Sequence, residues 1–155
     1  MSRVYGKKLE REIHAAVKLL KATSSSQGEM LPVDRVACLP GGRYLAIECK
    51  ECRKDRFEFR RISPRERQHL SRTQACGGLS LLVIQRIYSN YSRTWCIHWL
   101  DLVRLWPDLA GSIPLADSRR PEALAEVLQI ERDGLGKALD LHPIIHLHPI
   151  IQEVS

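Results

Sequence analysis

No apolar run in the chain approaches the roughly 20 residues that a bilayer core demands, so a spanning helix is excluded. The opening residues, MSRVYGKKLE, lack the apolar stretch of a secretory signal. A cytoplasmic protein is therefore expected, associated with the nucleoid or, for a viral protein, working in the host cytoplasm. The cysteines lack the pattern of a disulfide framework, being five, an odd number. Cys49 and Cys52 form a C-x-x-C, but no second pair stands at zinc spacing and Cys49 lies in a strand-like run. Free thiols are the expectation. The tail repeats a short motif, Leu141-His142-Pro143-Ile144-Ile145-His146 and then Leu147-His148-Pro149-Ile150-Ile151, but two copies are too few for a solenoid. Its prolines argue against a regular helix, and its isoleucine pairs call for burial against the core or a second subunit.

What remains has the make-up of one ordinary domain: 155 residues, 44% hydrophobic and 27% charged. The charge is uneven. Residues 1–72 carry 17 basic and 9 acidic side chains, and residues 73–155 carry 7 and 9. Arginine outnumbers lysine 17 to 7, and its planar fork suits phosphate. The basic residues line no amphipathic membrane anchor, so the expected polyanion is nucleic acid and not a membrane.

Apolar periodicity predicts a helix over 7–21, a polar loop over 22–31, and two strands, 33–39 and 43–49, joined by Pro40-Gly41-Gly42. A third strand is expected over 56–62. Ser63-Pro64-Arg65-Glu66 reads as an N-cap, a first-turn proline and a capping-box glutamate, opening a helix that ends at Gly77-Gly78. Strands over 79–87 and 94–99, a short helix over 101–106 and a helix over 121–132 complete the pattern. Trp95 and Trp99 are expected in the core or in a dimer contact, and the strand at 94–99 together with the tail is expected to help form that contact. The order implies an α/β domain with a mixed central sheet flanked by helices.

Chemistry concentrates at Pro32-Val33-Asp34 and, after thirteen intervening residues, Glu48-Cys49-Lys50. On a strand Glu48 and Lys50 share one face while Cys49 points to the other, and Asp34 lies on the preceding strand of the hairpin. Two carboxylates at one sheet edge repel unless a cation separates them, and Mg²⁺ takes such oxygen ligands while leaving room for water and phosphate. A neighbouring lysine then orients water and stabilises phosphate charge. The residues alone leave a second reading open, in which Glu48 and Lys50 are a solvated ion pair and Asp34 a turn carboxylate.

The segment resembles the PD-(D/E)xK nucleases, and among them the Holliday-junction resolvases of the archaeal Hjc and bacterial RecU types. Gly6-Lys7-Lys8-Leu9-Glu10-Arg11 resembles their N-terminal helix; Arg60-Arg61, a helix, Gly77-Gly78 and an apolar strand resemble the Hjc order; His69-Leu70 resembles a RecU stretch. The chain departs from the pattern in Val33, interposed in the signature Pro-Asp, and in Arg65 or Glu66, which stands where the families carry a helical glutamine. The resemblance implies a restriction-endonuclease-like core over 1–110, with 111–155 as an extension packed on the core or a partner subunit. It implies a metal-dependent endodeoxyribonuclease that resolves four-way DNA junctions as a homodimer. Asp34, Glu48, the Cys49 carbonyl and Glu10 would hold Mg²⁺, with Mn²⁺ as substitute, and Lys50 would activate water. Arg11, Arg53, Lys54, Arg56, Arg60, Arg61, Gln68 and a loop serine (Ser24, Ser25 or Ser26) would contact DNA. A restriction or repair nuclease and a catalytically silent DNA-binding module are the alternatives.

Overall fold

A computed structural model describes residues 2–19, 23–25, 33–116, 118–132 and 136–146. Helix α1 (Ser2–Leu19) buries Leu9, Ile13, Ala16 and Val17, the stripe its periodicity marks. Strand β1 (Thr23–Ser25) falls within the segment expected to be loop, and pairs with β2 (Arg35–Cys38). Strand β2 turns back through the glycine hairpin into β3 (Tyr44–Cys52), with Leu39 N–H donating to the Arg43 carbonyl at 2.8 Å.

Chain 56–62 is only half a strand. Strand β4 (Arg56–Glu58) ends opposite Ser112, the first residue of its three-residue antiparallel partner β7 (Ser112–Pro114), and residues 59–61 form a 3₁₀ turn. The Arg67 side chain fixes that turn, donating to the carbonyls of Phe59 at 2.8 Å and Ile62 at 2.9 Å. Helix α2 (Pro64–Ala75) begins with the expected capping box: Glu66 N–H donates to Ser63 Oγ, and Ser63 N–H to Glu66 Oε2. It stops at Gly77, whose φ of 86° favours glycine. The chain then crosses into β5 (Leu79–Ile87), parallel to β3, and returns antiparallel as β6 (Ser92–His98).

Helix α3 (Trp99–Leu105) follows, and Pro107 sits in a 3₁₀ turn after it. The helix expected over 121–132 does not form. Leu124 and Val127 are buried at helix-like spacing, but Ala125–Glu126 is β8, bonded to β6. The backbone groups along β6 need partners, and supplying them outweighs local helical preference. Strands β9 (Gln129–Arg132) and β10 (Gly136–Leu139) make a separate hairpin. Helix α4 (His142–His146) is a single turn that tolerates Pro143 at its start; Leu141 and Ile144 pack into the core, and His98 Nε2 meets the Ile144 carbonyl at 2.8 Å. The second tail repeat, 147–155, lies outside the described residues.

The result is a mixed six-stranded sheet, ordered β1-β2-β3-β5-β6-β8, with helices on both faces. One core lies under α1 and contains Leu45, Ile47, Leu81 and Val83. The other contains Phe57, Leu70, Leu82, Ile84 and Trp95. Strand β6 lies inside the sheet with Trp95 and Ile97 fully buried, and Trp99 is buried beside Trp106. These tryptophans are core, one of the two places expected for them. The strand therefore offers no surface to a second subunit, a correction to its expected dimer role. All five cysteines are free thiols.

Candidate metal-dependent active site

Strand β2 stays in register with β3 up to Arg35 opposite Ile47. One residue earlier the two chains part, with Asp34 facing Glu48. The separation leaves strand groups for side chains to satisfy. Cys49 N–H donates to Asp34 Oδ2 at 2.8 Å, and Asp34 N–H donates to Glu48 Oε2 at 3.2 Å. Each carboxylate is thus fixed by the backbone beside the other, and the hairpin turn brings together residues fourteen apart.

Glu48 and Lys50 sit beside Leu82 and Ile84 of β5, on the sheet face that packs against α2. Lys50 Nζ lies 3.1 Å from Glu48 Oε1, and 3.1 and 3.0 Å from the two carboxylate oxygens of Glu66. Glu66 therefore has two tasks, closing the capping box and gripping the lysine. Its capping role is legible in the sequence, and it is one of two residues at the place of the family glutamine; its contact with Lys50 depends on how α2 crosses the sheet.

Electrostatics in this cluster are set by burial. Glu48 is 3% exposed, and burial, then the charge of Asp34, pushes its carboxyl up to about 8 against the pull of Lys50. Burial works against the Lys50 ammonium, but Glu48 and Glu66 outweigh it and hold its pKa above the usual lysine value. Burial first, then Asp34, Glu48 and Glu10, pushes the Cys49 thiol well up.

Glu10 is exposed on α1, close enough for its charge to be felt at Cys49. Neighbouring Glu12 is engaged elsewhere, accepting from Gln85 at 3.1 Å and pairing with Lys8 at 3.7 Å. Among the described residues, no three His, Cys, Asp or Glu side chains form a ready-made metal cage. The donor set nonetheless fits Mg²⁺, an ion usually held by one or two carboxylates together with waters and substrate phosphates. A buried carboxylate that resists ionising beside a second carboxylate is the kind of group a divalent cation stabilises.

Of the residues expected to meet DNA, Arg11, Arg53, Lys54, Arg56, Arg60, Arg61 and Gln68 are all exposed. Several are also held within the protein: Arg56 Nε donates to Ser112 Oγ at 2.7 Å, Arg60 pairs with Glu58 at 2.8 Å, and the Arg61 guanidinium lies 5.3 Å from the Phe57 ring centre. Ser24 and Ser25 lie in β1 opposite Ala37 and Val36, and Ser26 lies outside the described residues. His142, one of the tail histidines, bonds to Asp140 at 3.0 Å.

Among curated proteins none matches the chain significantly. Among solved structures the chain is similar to Hjc of Archaeoglobus fulgidus, described as a Holliday junction resolvase from an archaeal hyperthermophile. The two are 19% identical with a TM-score of 0.48, over 77% of this chain and 94% of that one. The family model of Recombination protein U matches residues 33–123, more than half of the chain and the stretch that contains Asp34, Glu48, Lys50 and Glu66. The chain belongs to the RecU family, Recombination protein U.

Proposed function

We propose that this protein is a divalent-metal-dependent endonuclease that resolves four-way DNA junctions by paired phosphodiester cuts. The observation that carries the reading is the arrangement of Asp34, Glu48 and Lys50 at the parting of β2 and β3, with the lysine gripped by Glu66. Simple DNA binding has no use for clustered carboxylates beside phosphate, because they repel it. Membership of the Recombination protein U family supports a role in recombination.

In this reading Asp34, Glu48 and the Cys49 carbonyl hold Mg²⁺ or Mn²⁺, with Glu10 direct or through water. The ion supplies Lewis acidity at the phosphate and a more acidic water. The Lys50 ammonium, fixed by two carboxylates, orients the attacking water and stabilises charge on the phosphoryl oxygens. The exposed Arg53, Lys54, Arg56, Arg60 and Arg61 neutralise backbone phosphates, and selection is by DNA shape more than by base sequence. Two symmetric cuts need two sites, and a chain with one candidate site meets that need as a two-fold homodimer.

The test is cleavage of a labelled four-way junction beside a linear duplex, with Mg²⁺ or EDTA, for wild type and Asp34→Asn. Paired symmetric nicks on the junction, lost in EDTA and in the variant, are expected. Equal cutting of both DNAs would point to a general nuclease, and tight binding without cutting under any divalent metal would overturn the reading.

A further inference from the structure

The hairpin between β5 and β6 carries an aromatic pair that no part of the catalytic site uses. Tyr88 N–H donates to the Tyr91 carbonyl at 2.8 Å, which closes a tight turn over Ser89 and Asn90. The two rings stack with centres 4.5 Å apart and planes 14° from parallel. Arg86 lies over Tyr88, its guanidinium 4.4 Å from the ring centre, and is itself tethered to Asp55 at 3.3 Å. The stack runs guanidinium, ring, ring, and then stops at solvent: Tyr91 is 61% exposed.

An aromatic ring already stacked on one side and open on the other suits a further flat, electron-rich partner. Charge narrows the choice. Arg53 and Lys54 are exposed in the loop that also carries Asp55, the partner of Arg86, so that loop brings two further cations and one carboxylate to this end of the sheet. A flat group accompanied by negative charge is a nucleobase on its phosphate backbone.

Position fits the same ligand. Cys52 pairs with Arg86 and Lys50 with Ile84, so Arg86 shares the face of Lys50 and the tyrosine pair lies beyond it at the end of the sheet. Tyr88 is four residues past Ile84, about 13 Å at roughly 3.3 Å per residue. That span is close to four stacked nucleotides at about 3.4 Å each.

We infer that Tyr91, backed by Tyr88 and Arg86, is a stacking site for an unpaired nucleobase of branched DNA, held a few nucleotides from the scissile phosphate while Arg53 and Lys54 meet the flanking phosphates. The inference deepens the nuclease reading and rests on it for the position of the cut strand. Intact duplex has no unstacked base to offer, so the site distinguishes DNA with an open centre from DNA without one.

The test is fluorescence titration with a duplex carrying 2-aminopurine in a short single-stranded gap, beside the same duplex without a gap. For wild type, binding to the gapped DNA quenches the reporter. Tyr91→Ala is expected to weaken gapped-DNA binding about tenfold, or ~1.4 kcal/mol, and to abolish the quench, with duplex affinity unchanged and a melting temperature only slightly lowered by loss of the stacked pair. Tyr91→Trp retains both properties. Equal gapped-DNA binding by Tyr91→Ala and wild type, or an equal loss on both DNAs, would overturn the inference. Quenching through Tyr91 by a wild-type protein that cuts no junction supports the stacking site while removing the resolvase reading.

Discussion

At the scale of single residues, Glu66 is where local structure and chemistry meet. Replacement by glutamine keeps an oxygen for the capping box but removes the charge facing Lys50; replacement by alanine removes both. Glu66→Gln is expected to melt slightly below wild type, through loss of the Lys50 pair alone, and Glu66→Ala to lose about 1 kcal/mol more, the usual cost of a lost cap. Both should lower cleavage, and both should move the lysine limb of the pH–rate profile to lower pH, because a carboxylate that raises the ammonium's pKa has gone. An unmoved limb would reduce Glu66 to a capping residue.

Glu48 gives a pH dependence of opposite origin. Its folded value, about 8, lies above the ordinary 4.5, so between them the native chain keeps a proton that the unfolded chain has released. The contribution to stability is present below about 4.5 and is lost as pH rises through about 8. Denaturant unfolding in EDTA should therefore show stability falling over that window. Mg²⁺ should oppose the fall, and Glu48→Gln should remove this component of the slope. A metal-free profile identical in wild type and Glu48→Gln would contradict the assignment.

At the scale of elements, the passage from α2 into β5 admits no side chain. A methyl on Gly78 would lie 2.7 Å from Thr73 Cγ2 and 3.0 Å from the carbonyls of Thr73 and Tyr44. Gly78→Ala is expected to cost roughly 1–3 kcal/mol, read as a lower denaturation midpoint. The larger loss should be in activity, since this junction sets the height of Glu66 over Lys50. Much of this was legible in the sequence, because α2 carries its start and stop in Ser63, Glu66 and Gly77, and the hairpin brings Asp34 to Glu48 through near-neighbour pairing. What depended on distant partners was not. Residues 121–132 carry helix-like spacing, but Ala125 and Glu126 serve as an edge for β6 while 129–132 pair with β10, and 59–61 turn with Arg67 taking the carbonyls of Phe59 and Ile62. Tyr88 and Tyr91 look like ordinary hairpin residues until their rings are seen stacked.

At the scale of the whole molecule, the basic excess becomes a measurable surface. Each phosphate neutralised contributes about −0.9 to the slope of log affinity against log salt on B-form DNA. Lys54→Ala should make that slope shallower by about one and weaken binding to all sequences alike. A slope unchanged within error would remove Lys54 from the interface.

The parallel pairing of β3 with β5 also has a consequence for how the protein reaches its working state. Asp34 and Glu48 meet through an antiparallel hairpin, a local pairing with little loop entropy to overcome. Lys50 meets Glu66 only when the crossover through α2 has closed and β5 has docked beside β3. Non-local parallel pairing is the slower event. During refolding, the carboxylate pair should thus assemble before the lysine is clamped. On the proposed nuclease reading, cleavage should return in step with the docking of β5 beside β3.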